Sequence, residues 1–165
     1  MRSITLLCLL TVSLFANAET YTGRVVGVTD GDTVTVLDSS NTQHKVRMAG
    51  IDAPEKKQAF EQASKQNLSN LVYGKTVTIE TSKLDRYQRE VGKVIINGRD
   101  ANLKQIESGL AWHYKKYANE QSSADQQTYA AAEVQAQQGR RGLWNEANPT
   151  PPWDFRHQKK GQYKL

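Results

Sequence analysis

The chain has 165 residues, with 22 basic against 17 acidic side chains and a formal net charge of +5. Its single cysteine, Cys8, rules out an intrachain disulfide framework, so a fold must rest on a hydrophobic core. The length suits one ordinary domain, and the positive balance favours a polyanionic partner without identifying one.

Arg2 opens the chain with a positive charge. Ile4 to Phe15 is mostly apolar, and Ala16-Asn17-Ala18 puts small residues where a signal peptidase inspects them. This order of basic, apolar and small predicts a secretory signal cleaved after Ala18. The apolar run falls short of the roughly 20 residues a membrane span needs. Removing residues 1–18 leaves 147 residues without cysteine and lowers the formal charge to +4. The expected location is exported, periplasmic or secreted, with no stable membrane insertion once processed.

Beyond the signal the first half reads as strands. Tyr21–Val28 and Thr33–Leu37 are rich in Val and Thr, with Thr29-Asp30-Gly31-Asp32 as the turn between them. Gln43–Ile51 reads as a third strand, with Val46 and Met48 on one face and Lys45, Arg47 and Ala49 on the other. A helix is predicted from Pro54, carrying Phe60, Ala63, Asn67, Leu68, Leu71 and Val72 and ending at Gly74. Thr76–Glu80 and Val91–Ile96 are further strands, with the polar segment Ser82–Glu90 between them. Asp100 caps a second helix. Ser123 with Gln126 forms a capping box that opens a third, through Gln138. The segment from Asn148 contains Pro149, Pro151 and Pro152 and ends basic, which predicts an irregular tail on which Trp153 or Phe155 docks. The order β-β-β-α-β-β-α-α fits an α+β, mainly β architecture: an OB-like five-stranded barrel with about three helices over 19–147, followed by a tail over 148–165.

Two carboxylate clusters stand at strand ends, Asp30-Gly31-Asp32-Thr33 and Asp52-Ala53-Pro54-Glu55. Each has an ordinary explanation, hairpin chemistry for the first and helix capping for the second. A meander can bring them together, and neighbouring carboxylates repel unless a hard cation relieves them. Arg47 lies five residues before Asp52 on the face opposite the apolar one, where it is either a surface charge or part of a cleft. The histidines His44, His113 and His157 are scattered without metal-ligand spacing.

Together the motifs D-G-D-T (30–33), R-x-x-x-x-D-x-P-E (47–55) and D-x-Y-x-R (85–89) resemble the staphylococcal (micrococcal) nuclease, or thermonuclease, family in order and spacing. The similarity covers about Tyr21 to Trp144. It implies a thermonuclease-like OB barrel and a Ca²⁺-dependent endonuclease that hydrolyses DNA and RNA on the 5′-oxygen side, leaving 3′-phosphates. Carried over by position, Asp32, Asp52 and the Ala53 carbonyl hold one Ca²⁺, Glu55 handles the attacking water, and Arg47 and Arg89 grip the phosphate. Ala53 replaces the family's threonine, which keeps the carbonyl and loses a hydroxyl. Gln88 replaces a small residue. Arg86, Tyr87, Lys115 and Tyr117 are the expected substrate contacts, on single-stranded or frayed nucleic acid, in a monomer. A non-catalytic nucleic-acid-binding module of the same fold is the alternative, and a structural envelope protein is a third reading. A binding module has no reason to keep both aspartates, the glutamate and both arginines together.

Overall fold

The computed structural model describes residues 19–162. The predicted signal, Cys8 included, lies outside them. Strands β1 (Glu19–Val28), β2 (Thr33–Asp38) and β3 (Gln43–Met48) form the expected meander. The two-residue strand β4 (Ile51–Asp52), helix α1 (Glu61–Val72) and the long strands β5 (Thr76–Leu84) and β6 (Glu90–Ile96) follow. After them come the short β7 (Arg99–Asp100), α2 (Ala101–Glu107), the short β8 (Trp112–His113), α3 (Ser123–Gln138) and α4 (Pro152–Gln162).

The strand order is β3-β2-β1-β5-β6, and β3 also pairs with β6, so five strands close into a barrel. That closing pair is the barrel's parallel one, with Val46 opposite Glu90 and Arg47 opposite Val91. Alternation fills the interior. Val25, Val34, Val36, Val46, Met48, Ile79 and Val94 are fully buried, and each such side chain is worth about 1.5–3 kcal/mol of burial.

Four boundaries differ from expectation, each for a local reason. The third strand stops at Met48 because Gly50 takes φ +72°, and that turn sends Ile51–Asp52 to pair with Trp112–His113. A Cβ on Gly50 would lie 2.2 Å from the Gln121 side-chain nitrogen. The first helix starts at Glu61 rather than Pro54, because Phe60 sits left-handed at φ 64° and interrupts the turn. It buries Ser64, Leu68 and Val72. The third helix is capped by Ser122, whose hydroxyl accepts from the Asp125 amide, and not by a Ser123–Gln126 box. The tail is a helix, α4, where an irregular segment was expected. Asp100 caps α2 as read, accepting from the Leu103 amide.

A buried polar network fixes the turn between β1 and β2. Gln105 on α2 donates through Nε2 to the Gly31 carbonyl at 2.6 Å and the Ser64 carbonyl at 3.1 Å, and its Oε1 accepts from Asn67 at 2.6 Å. Ser64 donates to the Leu110 carbonyl at 2.6 Å. Gly31 leaves no room for a side chain: a Cβ there would meet Ser64 Oγ at 1.9 Å and Ala53 Cβ at 2.8 Å. Gly31→Ala is therefore expected to cost about 1–3 kcal/mol, the usual range for overpacking. Urea denaturation checks this, and an unchanged midpoint would mean the α1–turn contact is not rigid.

A second cluster ties the barrel's outer wall. His44 Nδ1 lies 2.6 Å from Glu90 Oε1, His44 Nε2 lies 3.0 Å from Asp38 Oδ2, and the Tyr21 hydroxyl donates to Glu90 Oε2 at 2.5 Å. Burial alone would lower the His44 pKa, but the bonds to Asp38 and Glu90 outweigh it and raise the value above the usual 6.5. A raised folded pKa means stability that is complete below the unfolded value and lost as pH rises through the folded one. The difference in urea midpoint between the parent chain and His44→Gln should thus be larger near pH ~6 than near pH ~9. A difference independent of pH would show that the imidazolium is not the stabilising form.

Candidate active site

The two acidic clusters meet at one end of the barrel. The β1–β2 turn delivers Asp32, and the Gly50 turn delivers Asp52 on β4. Both are buried, at 6% and 1% exposure. Asp32 Oδ2 accepts from the Ala53 amide at 2.8 Å, which stitches the clusters together. The Asp32 amide in turn donates to Asp30 Oδ1 at 3.1 Å.

Arg47 bridges them from β3. Its Nη1 donates to the carbonyls of Met48 (3.0 Å) and Ile51 (2.8 Å) and lies 3.4 Å from Asp32 Oδ2, while Nη2 donates to Asp52 Oδ1 at 3.2 Å. Burial opposes its charge, but Asp32, Asp52 and Asp30 more than compensate and raise its pKa. Two of the carboxyls are shifted, chiefly by burial. Burial, then the charge of Asp32, pushes Asp30 up to about 6. Burial, with Asp32 again adding, also raises Asp52, against the pull of Arg156 and Arg47.

Glu55 stands at the rim, a third exposed. Its backbone amide donates to Gln58 Oε1 at 2.9 Å. Arg156, from α4, reaches into the same place. Nη1 contacts Glu55 Oε1 at 2.5 Å and Asp52 Oδ1 at 3.2 Å, and Nη2 contacts Asp52 Oδ2 at 2.8 Å. Sequence reading missed this residue. Pro152 in the first helical turn with Asp154 beside it is a helix-start signal that was available, but nothing local aims Arg156 at residue 52.

The remaining predicted residues make other contacts. Arg89 ends the β5–β6 loop two residues before Val91, the register partner of Arg47. Asp85 holds it through Nε at 2.8 Å and Nη2 at 2.7 Å, and also accepts from the Arg89 amide at 3.0 Å. Tyr87 is largely exposed on that loop, with the guanidiniums of Arg86 and Arg89 at 4.8 and 5.6 Å from its ring centroid. Lys115 is ion-paired with buried Glu133 at 2.6 Å. Tyr117 is edge-on to Tyr114, their ring centroids 5.0 Å apart.

A closed five-stranded barrel with helices packed on it, carrying clustered aspartates and an arginine at one end, is the architecture of a thermonuclease-like protein. The family model described as Staphylococcal nuclease homologue matches residues 45–146. An uncharacterised endonuclease of Haemophilus influenzae is 43% identical over 155 residues, covering 94% of this chain and 84% of the relative. One of Escherichia coli O157:H7 is 41% identical over 138 residues, covering 83% and 86%. A micrococcal nuclease of Shigella flexneri is 34% identical over 169 residues, covering 97% and 94%. The chain belongs to the staphylococcal nuclease family, and its class is that of the nuclease hydrolases.

Proposed function

We propose that this protein is an exported, Ca²⁺-dependent endonuclease that cleaves DNA and RNA on the 5′-oxygen side and leaves 3′-phosphates. The observation that supports it most is the convergence of Asp32, Asp52, Arg47 and Glu55 in one buried-to-rim cluster, from three separate segments.

The donor set suits a hard cation. Among the described residues no group of three or more His, Cys, Asp and Glu side chains forms a metal cage. A two-carboxylate site completed by the Ala53 carbonyl and water is within the oxygen-ligand habits of Ca²⁺. Burial raises both Asp30 and Asp52, and the neighbouring Asp32 charge adds to each, a charge that a bound cation would relieve. Asp32, Asp52 and Ala53 would hold the ion, which would supply positive charge against the phosphoryl oxygens.

The side chains do the rest. Attack on a phosphodiester builds negative charge, and forked guanidiniums bind such charge in bidentate fashion. Arg47 is rigidly held for that task. Arg89 exchanges its Asp85 contact for phosphate, bringing the second fork. Glu55 accepts a proton from water or orients it. Arg86, Tyr87, Lys115 and Tyr117 contact the flanking strand by charge and stacking, which favours unpaired substrate in a monomeric enzyme.

The test is incubation of the processed chain, residues 19–165, with single-stranded DNA, first with Ca²⁺ and then with chelator. Fragments only with Ca²⁺ are expected. Intact DNA in both would leave a binding module. Asp32→Asn is expected to weaken Ca²⁺ uptake in a calorimetric titration, and an unchanged titration would remove Asp32 from the ligands.

A further inference from the structure

Arg156 is not explained by this chemistry. It joins the site from a helix 104 positions beyond Asp52 and makes three contacts with two carboxylates assigned to metal binding and water handling. The docking that puts it there is built. Trp153 stacks on Tyr114 at 5.4 Å with 10° between the rings, and meets Trp112 edge-on at 5.6 Å. Pro152 is buried, and the Thr150 carbonyl accepts from Gln58 at 2.6 Å, the same Gln58 that holds the Glu55 amide. Phe155 lines a groove with Pro54, Phe60, Trp112 and Leu143. The helix thus lies across the site, anchored by the residues just before Arg156.

A guanidinium and a divalent cation answer the same need, compensation of crowded carboxylates. They cannot share all the same oxygens, because both Asp52 oxygens already accept from Arg156. We propose that Arg156 is an internal counter-ion of the active site: it holds Asp52 and Glu55 in place without metal, competes with Ca²⁺ for Asp52, and so sets the site's metal affinity. This rests on the reading of Asp52 as a metal ligand. Release of Arg156 on metal uptake loosens α4 and frees Glu55 for water.

The experiment is calorimetric Ca²⁺ titration of the chelator-stripped processed chain, with Arg156→Ala, Arg156→Lys and Trp153→Ala beside the parent, and Asp52→Asn as control. Arg156→Ala is expected to bind Ca²⁺ about tenfold more tightly, at the low end for charge-assisted bonds because water screens a guanidinium more than a third exposed. Arg156→Lys should fall between it and the parent. Trp153→Ala, which undocks the helix without touching the carboxylates, should tighten binding in the same direction. Amide hydrogen exchange of residues 153–158 in the parent should speed up on Ca²⁺ saturation. Equal or weaker affinity in Arg156→Ala overturns the proposal, as does unchanged exchange. Weaker cleavage with unchanged affinity would instead make Arg156 a phosphate contact and overturn it too. If neither the parent nor Arg156→Ala takes up Ca²⁺, the metal reading fails first and carries this one with it. If both bind but Asp52→Asn binds equally well, the competition at Asp52 is disproved while a metal site elsewhere survives.

Discussion

Glu55→Gln should leave the fold intact and reduce cleavage by about 10²–10⁴-fold, the usual worth of general acid–base help. The side chain is at the rim, a third exposed, and it pairs with Arg156. Its backbone amide keeps the Gln58 bond whatever the side chain is. The amide side chain retains size and one acceptor oxygen but cannot take a proton. Circular dichroism and the urea midpoint should therefore match the parent while single-turnover cleavage of DNA collapses. Near-parental cleavage would remove Glu55 from water handling.

Arg47→Lys should lose both rate and stability. Arg47 serves two backbone carbonyls and two aspartates from one planar fork. An ammonium keeps the charge but cannot address all four. The carbonyls of Met48 and Ile51 and the buried Asp52 then lose bonds, at about 1–3 kcal/mol for groups left unsatisfied. Loss of a preorganised transition-state donor costs about 10²–10³-fold in rate. Arg89 provides the internal contrast. Its ion-pair partner is Asp85, on the same surface loop, so Arg89→Lys should lose rate with little change in the urea midpoint. If Arg47→Lys loses stability but keeps full single-turnover rate, Arg47 is a brace and not a clamp.

How far the sequence carried these residues follows from the range of each interaction. The strands were legible because Val34, Val36, Val46 and Met48 alternate with polar neighbours, and period two is a local property. Helix α2 was legible because an Asp100 cap needs only Leu103. The start of α1 was not, because Pro54 permits a helix there, and it is the left-handed Phe60 that breaks the turn. The Asp32–Asp52 meeting had to be inferred from motif order, since each cluster alone is ordinary turn or cap chemistry. The contact of Arg156 with Asp52 was beyond reach. It depends on aromatic docking of Trp153 on Tyr114 and Trp112, a pairing of residues about 40 positions apart that no periodicity announces.

The parallel pairing of β3 with β6 has a consequence in time. Residues 46–48 and 90–92 become neighbours when the ring of strands shuts, and contacts between positions distant along a chain must wait for loop closure before they reward the fold. Arg47 and Arg89 ride on the two edges that this seam joins. An open chain holds every motif and yet does not bring Arg47 and Arg89 to a common seam, so on the proposed reading the site is assembled by the closed barrel and not by any one motif.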